Sequence, residues 1–240
     1  KKINDEDFYR VDTVEKMDSK GQISTYATTP ANTNLYWEVP SVFEYVSTID
    51  ENWFEFHKRL GNNSSYFRRV CTNSNDNRSR MDFLLGVRYF LGNDNSKGTR
   101  LSQYAGYGFR PVMVKDEIEI LKSGFKTSLG YVFENALSES EFLKYQPLER
   151  EQILMQGLQI KDEDMHNLKY TTALDPKRIQ VDNQSVDCEI KSVLGAYVSS
   201  NSIYVTQENA SIEIIPKEEI KNSEIYMTIT CYAHAKKMYI

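Results

Sequence analysis

The stretch GYVFENALSESEFLKYQPLEREQILMQGLQI, residues 130–160, predicts a strand followed by two short helices. Ser138 and Glu141 have the spacing of a capping box, in which each side chain satisfies a backbone N–H left open at a helix start. Pro147 suits the first position of the second helix, where its missing N–H costs nothing. The buried side of that helix is expected to consist of Ile153, Leu154, Gly157 and Leu158.

The chain before this stretch predicts a mixture of helices and strands. Asp50 is a good N-cap and Gly61 a good helix terminator. Between them, aromatic and apolar side chains recur at helical spacing, at Trp53, Phe56, His57 and Leu60. The sequence DFLLGVRYF, residues 82–90, predicts a helical turn that Gly86 ends, followed by a strand buried on both faces. Further strands are expected at residues 8–14, 109–114 and 129–133.

The last third of the chain predicts β structure only. Short apolar runs alternate with turn residues, at residues 179–181, 186–198, 203–206, 211–215 and 224–232. In the last run Ile225 and Met227 fall on one face of an alternating strand and are expected to be buried. The predicted fold class is therefore α+β. A mixed α/β N-terminal lobe of residues 1–165 precedes an all-β, sandwich-like C-terminal lobe of residues 166–240.

Composition excludes several classes of protein. The 240 residues carry a net charge of −5, which argues against nucleic acid as a partner, because that needs a basic face. No run approaches the roughly 18 apolar residues of a spanning helix. The three cysteines lie too far apart for a disulfide framework or a paired-cysteine zinc site, and Cys188 and Cys231 are expected on the buried phase of strands. No metal and no cofactor are predicted.

The order of four motifs resembles the extracytoplasmic part of the YfhO family of bacterial multi-pass membrane glycosyltransferases. These motifs are DFLLGVRYF (82–90), LGYVF (129–133), SESEF (138–142) and PLEREQ (147–152). Weaker similarities occur in FYRVDT (8–13), PSVFEYVSTI (40–49) and NSEIYMTI (222–229). The recognisable similarity therefore covers residues 8–160, with a thin match near the end.

The resemblance implies a function for the whole protein. Such a protein transfers a sugar from an undecaprenyl-phosphate donor to a cell-surface polymer, such as the lipoteichoic acid of a Gram-positive bacterium. The family holds its catalytic carboxylate near the first membrane helices, so no catalytic residue is assigned within residues 1–240. This chain would lie on the extracellular side of the cell membrane and align or bind the acceptor. Its expected partners are a cell-surface glycopolymer or lipid-linked sugar, and the membrane part of the same chain.

Four residues are candidates for ligand binding: Tyr36, Trp37, Glu38 and Arg88. The rings of Tyr36 and Trp37 offer apolar area to a sugar face, while Glu38 satisfies hydroxyl groups. The alternative is that both rings belong to the core. Arg88 is one of several arginines that could converge on a phosphate, together with Arg68, Arg69, Arg78, Arg80 and Arg100. Scattered, solvated arginines are the alternative.

Two other groups of residues have a chemical and a structural interpretation. His57 could act as a general base, but its place among Trp53 and Leu60 favours a packed helix histidine. The acidic run Asp162, Glu163 and Asp164, with His166, has the chemistry of a divalent-metal site, although a solvated linker is favoured. Two further hypotheses concern function. One is a non-enzymatic cell-surface carbohydrate-binding or adhesion module that uses exposed aromatics of the β half. The other is a soluble glycoside hydrolase, which needs a suitably spaced acidic pair.

Overall fold

The structure of the chain is a computed structural model. It describes residues 5, 7–13, 16–17, 23–24, 38–42, 44–45, 50–61, 71–72, 75, 78–93, 107–115, 118–169, 171–181, 184–200, 202–207, 210–221 and 223–227. These residues fall into two units, one up to residue 181 and one from residue 184 to 227. The two sequence-based lobes, divided after residue 165, stay a prediction.

The described residues contain helices, mostly in the middle of the chain, and many strands, which form several sheets. The predicted α+β fold class is therefore confirmed. The α-helices among the described residues are α1 (Glu51–Arg59), α2 (Ser79–Leu84), α3 (Glu139–Phe142) and α4 (Pro147–Leu154). Two 3₁₀ helices span Asp162–Asn167 and Pro176–Arg178. Among the described residues, no helix has the length and apolar character needed to cross a membrane.

The strands of the first unit form one mixed sheet and three smaller ones. They are β1 (Arg10–Thr13), β2 (Lys16–Met17), β3 (Ile23–Ser24), β4 (Glu44–Tyr45), β5 (Cys71–Thr72), β6 (Val87–Asn93), β7 (Phe109–Lys115), β8 (Ile118–Ser123), β9 (Asn135–Ser138), β10 (Leu158–Ile160) and β11 (Thr172–Ala173). The largest sheet has the order β1-β6-β8-β7, in which only β1 and β6 are parallel. A parallel sheet has the order β10-β9-β11, and β2–β3 and β4–β5 form antiparallel pairs.

One hydrophobic core joins the large sheet to the helices. Phe90 of β6 is fully buried, and its ring meets that of Phe109 edge to face with centroids 4.6 Å apart. The other buried members of this core are Val42, Leu60, Met81, Leu85, Val87, Leu121, Leu137, Phe142 and Ile153. Strand β6 lies between β1 and β8 in the sheet. Tyr89 and Phe90 are successive residues of β6, so their side chains point to opposite faces, and both are buried. The predicted strand buried on both faces is confirmed.

The predicted helix ends are confirmed where local hydrogen bonds decide them. The Asp50 carboxylate accepts the backbone N–H groups of Asn52 and Trp53, which starts α1. The hydroxyl of Ser138 accepts the N–H of Glu141 at 3.3 Å, which starts α3. Helix α4 begins at Pro147, as predicted.

Two predictions around this region are wrong. Residues 129–133 form no strand, because Tyr131 is held by α2 instead: its hydroxyl donates to Phe83 O at 2.6 Å and the two rings stack. The side chain of Val132 is 99% exposed. Helix α4 ends at Leu154, so Leu158 lies on strand β10 and is partly exposed rather than on the buried side of the helix.

Gly157 allows the chain to leave α4 and return beside β9. A β-carbon built on Gly157 would lie 2.9 Å from Asn135 O, which is closer than real β-carbons approach. We expect Gly157→Ala to lower the free energy of unfolding by about 2 kcal/mol, because the backbone of β9 must move. Urea unfolding followed by fluorescence measures this.

Gly130→Ala is the matched control, because no atom lies within 4 Å of the position of its β-carbon. We expect its effect to stay within about 0.5 kcal/mol of the wild type. Equal effects of the two substitutions would contradict the close approach at Gly157.

The second unit contains two antiparallel sheets of two strands each. Its strands are β12 (Cys188–Leu194), β13 (Ala196–Ser199), β14 (Ser202–Val205) and β15 (Ser211–Pro216). Strand β12 pairs with β15, and β13 pairs with β14. None of the described residues from 184 to 227 is buried. The packing of these sheets into a sandwich stays a prediction.

Three expectations for the second half of the chain are wrong. Cys188 is exposed, because both faces of β12 are exposed, and Cys231 lies outside the described residues. Residues 223–227 form no strand, and both Ile225 and Met227 are exposed. Residues 179–181 follow a 3₁₀ helix without joining a sheet.

Candidate functional site

Arg88 is held at the start of β6 by two carboxylates from the segment that leads into β1. Its Nε lies 3.2 Å from Asp5 Oδ2, and its Nη1 lies 3.1 Å from Asp7 Oδ2. The side chain of Asp5 is 9% exposed and that of Asp7 is 58% exposed. Because β1 and β6 are parallel neighbours, the residues before β1 lie beside the start of β6. The fold therefore brings these three side chains together.

Tyr89 and Lys122 complete this group. The Tyr89 hydroxyl donates a hydrogen bond of 2.6 Å to Asp5 Oδ2. Lys122 faces Tyr89 across the antiparallel pair of β6 and β8, with Nζ 5.5 Å from the Tyr89 ring centroid and 3.6 Å from Asp5 Oδ2. The ring of Tyr9 meets that of Tyr89 edge to face at 5.2 Å. We call Asp5, Asp7, Arg88, Tyr89 and Lys122 the Arg88 cluster.

The contacts within the Arg88 cluster fix its protonation. The hydrogen bond from Tyr89 is the largest cause that lowers the pKa of Asp5, and Arg88 and Lys122 act in the same direction against burial. Burial raises the pKa of Tyr89 to about 12, and the hydrogen bond to Asp5 acts in the same direction. Asp5 is therefore ionised at neutral pH, and Tyr89 keeps the proton that it donates.

The cluster contains cationic groups that could bind a phosphate beside an exposed carboxylate. It has two cations and two carboxylates, so its charges balance. Asp7 is the most exposed of the carboxylates. A phosphate that replaces the Asp7 carboxylate beside Arg88 can accept two parallel N–H bonds from the guanidinium. Asp5 stays in place because Tyr89 and Lys122 hold it as well.

Of the four predicted ligand-binding residues, Arg88 lies in this cluster. Glu38 is exposed and has a φ of 54°, in the left-handed region that few residues other than glycine adopt. Tyr36 and Trp37 lie outside the described residues. Ligand binding by these four residues stays a prediction.

Arg78 has an internal role, so it is neither a solvated arginine nor one that can converge on a phosphate. Its side chain is 7% exposed, and its Nε lies 2.8 Å from Oε1 of the fully buried Glu151 on α4. Its Nη1 donates to Leu60 O at 2.8 Å, at the end of α1. The guanidinium is committed to these contacts inside the core. Arg68, Arg69 and Arg100 lie outside the described residues, and Arg80 is half-buried.

His57 is packed in the core. Its ring lies 4.7 Å from that of Trp53 and 5.5 Å from that of Phe56, and neither ring nitrogen has a hydrogen-bond partner. Burial lowers the pKa of His57 to about 4, and the charge of Arg78 acts in the same direction. The structure supports the packed histidine over the general base, because the ring has no access to a ligand.

The acidic run at residues 162–164 has a structural role at its first residue. Asp162 Oδ2 accepts the Ser140 N–H at 3.1 Å, and Ser140 Oγ donates to Asp162 Oδ1. The hydrogen bond from the Ser140 side chain is the largest cause that lowers the pKa of Asp162. Asp162 thus completes the start of α3. In the part of the chain that the structure describes, no group of three His, Cys, Asp or Glu residues could hold a metal ion.

The second unit presents a pair of aromatic rings to solvent. Tyr197 and Tyr204 are cross-strand neighbours in the β13–β14 pair, with stacked rings 4.8 Å apart. About half of each side chain is exposed. Exposed aromatic rings are the usual apolar surface for a sugar face.

Sequence reasoning missed most of these residues. Asp5, Asp7 and Lys122 were not candidates, because each approaches Arg88 only through the pairing of β1, β6 and β8. The Tyr197–Tyr204 pair had a local signal: the alternation in AYVS and SIYV places both tyrosines on one face if residues 200 and 201 form the turn.

Comparison with known proteins identifies a family. The family model described as "Bacterial membrane protein YfhO" matches residues 1–239 of the chain. No curated protein and no solved structure matches it. The family match covers the Arg88 cluster, both units and all four motifs, so the resemblance found in the sequence is confirmed.

Proposed function

Because the chain belongs to the YfhO family of bacterial membrane proteins, we propose that it is the extracellular part of a membrane glycosyltransferase. The whole enzyme takes a sugar from an undecaprenyl-phosphate donor. It places this sugar on a cell-surface polymer such as lipoteichoic acid. The part formed by residues 1–240 binds and aligns the acceptor, and the chemistry takes place in the membrane part of the protein. The family match supports a membrane-associated function and is the observation that carries this proposal.

The transfer itself follows from the two substrates. An acceptor hydroxyl oxygen forms a bond to the anomeric carbon of the donor sugar, and the bond from that carbon to the phosphate oxygen breaks. Undecaprenyl phosphate leaves with the bonding electrons, and a carboxylate base takes the hydroxyl proton. The part formed by residues 1–240 accelerates this step because it holds the acceptor hydroxyl near the donor sugar. The two substrates then do not have to meet by diffusion.

The Arg88 cluster suits this role because teichoic acids alternate phosphates with polyols and sugars. The guanidinium of Arg88 and the ammonium of Lys122 are the two cations of the cluster, and both lie near Asp5 Oδ2. The ring of Tyr9 is partly exposed and packs edge to face on the buried ring of Tyr89, so it provides apolar area beside the cluster for a polyol or sugar. Asp7 competes with the phosphate for Arg88.

This competition predicts opposite effects of two substitutions. We expect Arg88→Gln to weaken binding of purified lipoteichoic acid by roughly tenfold or more, since one bidentate charged contact is lost. We expect Asp7→Asn to strengthen binding severalfold, because the competing charge is removed while the side chain keeps its size. Isothermal titration calorimetry of the 240-residue chain at low and high salt measures both.

A second arginine–aspartate pair of the same unit provides matched controls. Arg178 is the last residue of a 3₁₀ helix and Asp175 caps its start. Both are exposed, and Arg178 Nε lies 3.8 Å from Asp175 Oδ2. Arg178→Gln and Asp175→Asn change net charge in the same way as the two test substitutions. If these controls change binding as much as Arg88→Gln and Asp7→Asn do, general charge rather than the Arg88 cluster decides affinity, and the proposal for the cluster fails.

Glycosyl transfer needs a separate measurement in membranes that contain the whole protein. Labelled sugar on an undecaprenyl-phosphate carrier is supplied, and label in lipoteichoic acid is counted. We expect Arg88→Gln to raise the KM for the acceptor and to leave the KM for the donor unchanged. Absence of transfer by the wild type with every cell-surface polymer offered would contradict the enzymatic proposal.

The alternative function is a non-enzymatic cell-surface carbohydrate-binding or adhesion module. The exposed Tyr197–Tyr204 pair is the observation that favours it. In this case the isolated chain binds a glycan without phosphate, and Tyr204→Ala weakens that binding while Arg88→Gln does not. Trp37→Ala tests the predicted aromatic site at Tyr36 and Trp37 in the same assay.

A further inference from the structure

Strand β7 carries apolar side chains that face solvent on both of its sides. Val112 is 54% exposed, Met113 42% and Val114 66%. Met113 pairs with Ile120, and Val114 pairs with Glu119, so these two neighbours point to opposite faces of the sheet. Strand β7 lies at the edge of the sheet β1-β6-β8-β7. An exposed apolar strand at a sheet edge marks an interaction surface.

A second segment extends this surface. The backbone N–H of Gly124 donates to Gly108 O at 2.9 Å, which places the residues after β8 beside those before β7. The Phe125 ring covers Gly108, where an added β-carbon would lie 2.5 Å from the ring, and Phe125 is itself 45% exposed. We call Arg110, Val112, Met113, Val114, Phe125 and Lys126 the edge patch.

The charge of these segments differs from that of the whole chain. Residues 107–115 and 124–133 contain three cations, Arg110, Lys115 and Lys126, and no aspartate or glutamate. The chain as a whole has a net charge of −5. Arg110 and Lys126 are exposed. Glu119, which pairs with Val114, is buried. Exposed apolar side chains beside exposed cations match the chemistry of a surface with anionic headgroups above an apolar layer.

The geometry of β7 disfavours another β-strand as the partner. Pro111 has no backbone N–H to donate, and the pairing with β8 is irregular between Pro111 and Met113. Both features are devices that prevent a further strand from joining a sheet edge. A flat protein surface would cover one face of β7, whereas apolar side chains are exposed on both faces.

We propose that the edge patch docks this domain on the anionic lipid surface of the membrane. Val112, Val114 and Phe125 enter the boundary between headgroups and acyl chains, and Arg110 and Lys126 contact lipid phosphates. The outer backbone edge of β7 stays at headgroup depth, because a backbone N–H or C=O group without a hydrogen bond is costly in the hydrocarbon region. The proposal rests on membership of a membrane protein family and is independent of sugar transfer.

The test is flotation of the 240-residue chain with vesicles that contain no glycopolymer and no donor. We expect binding to phosphatidylglycerol vesicles and much weaker binding to phosphatidylcholine vesicles. The double variant Val112→Asp/Val114→Asp should bind at least roughly tenfold more weakly, because two exposed apolar groups are replaced by anions. The variant Arg110→Gln/Lys126→Gln should also bind roughly tenfold more weakly and lose most of its salt dependence.

Exposed residues elsewhere in the chain provide controls. Val205 is 69% exposed and Leu194 is 65% exposed, so Val205→Asp/Leu194→Asp makes the same change of polarity and charge elsewhere. Arg178→Gln/Lys177→Gln is the control for charge. Circular dichroism melting verifies that each variant folds. Because both apolar and charge variants are tested, misfolding of one leaves the other informative.

Three results would overturn the proposal. The first is absence of binding to anionic vesicles. The second is equal loss of binding in the control variants. The third is self-association of the wild type in analytical ultracentrifugation that Val112→Asp/Val114→Asp abolishes, without binding to vesicles, which would assign the edge patch to a second copy of the chain. A failure of lipoteichoic acid binding or of sugar transfer has no effect on this outcome.

Discussion

Replacing Arg78 by methionine is expected to lower the free energy of unfolding by about 4 kcal/mol, because Glu151 stays buried after losing its cation. Arg78 Nε lies 2.8 Å from Glu151 Oε1, and the two side chains are 7% and 0% exposed. The guanidinium also donates to Leu60 O and contacts Met81 Sδ. It therefore ties α1, α2 and α4 together, and one substitution removes all of these contacts.

Equilibrium urea unfolding at neutral pH measures this effect. Arg80→Met is the matched control, because Arg80 lies two residues after Arg78, in the first turn of α2, and is half-buried. We expect a change within about 0.5 kcal/mol. The double variant Arg78→Met/Glu151→Leu should be more stable than Arg78→Met alone, since both buried charges are absent. If Arg78→Met costs no more than Arg80→Met, the pair does not stabilise the core.

Acidification is expected to destabilise the protein by about 3 kcal/mol through His57 alone. In the folded chain the pKa of His57 is lowered from 6.5 to about 4, mainly by burial. As pH falls, the unfolded chain therefore binds this proton first, near its ordinary pKa. Between the two pKa values the unfolded state carries more protons than the folded state. The free energy of unfolding therefore decreases as pH decreases, and it levels off below the pKa that His57 has in the folded chain.

Comparing wild type with His57→Leu isolates this contribution. The variant should lose the part of the pH dependence that lies between about pH 6.5 and pH 4, because leucine does not titrate. At neutral pH it should be as stable as the wild type or more stable, since two buried nitrogens without hydrogen-bond partners are removed.

Urea unfolding at about pH 7 and about pH 5 measures the difference, with the fluorescence of Trp53 as the probe of its contact with His57. The control is His166→Leu, because His166 is exposed. An identical pH dependence of wild type and His57→Leu would show that His57 is protonated as easily in the folded chain as in the unfolded one.

The parts of the fold that could be predicted from the sequence are those set by interactions between residues a few positions apart. The start of α1 depends on Asp50 and the next three residues, and the start of α3 depends on Ser138 and Glu141. The prediction of a strand at residues 129–133 is wrong because Tyr131 is bound by Phe83, 48 residues earlier. No local pattern distinguishes this contact from the alternation of a strand.

The candidate site was predictable only at one residue. Arg88 was a candidate because of its type, whereas Asp5, Tyr89 and Lys122 became visible through strand pairing. The Tyr89–Asp5 hydrogen bond joins residues 84 positions apart. Arg78 and Arg88 are equivalent by composition, yet Arg78 lies in the core and Arg88 lies beside an exposed carboxylate.

The sequence by itself determined the α+β class, the capped starts of α1 and α3, the start of α4 at Pro147, and membership of the family. These properties follow from hydrogen bonds within one helical turn and from motifs that are contiguous in the chain. The tertiary structure alone decided that Arg78 pairs with Glu151, that Arg88 meets Asp5 and Asp7, and that β7 is an exposed edge. The physical reason is that a charge or an apolar side chain has no fixed environment until distant elements pack around it, or leave it exposed.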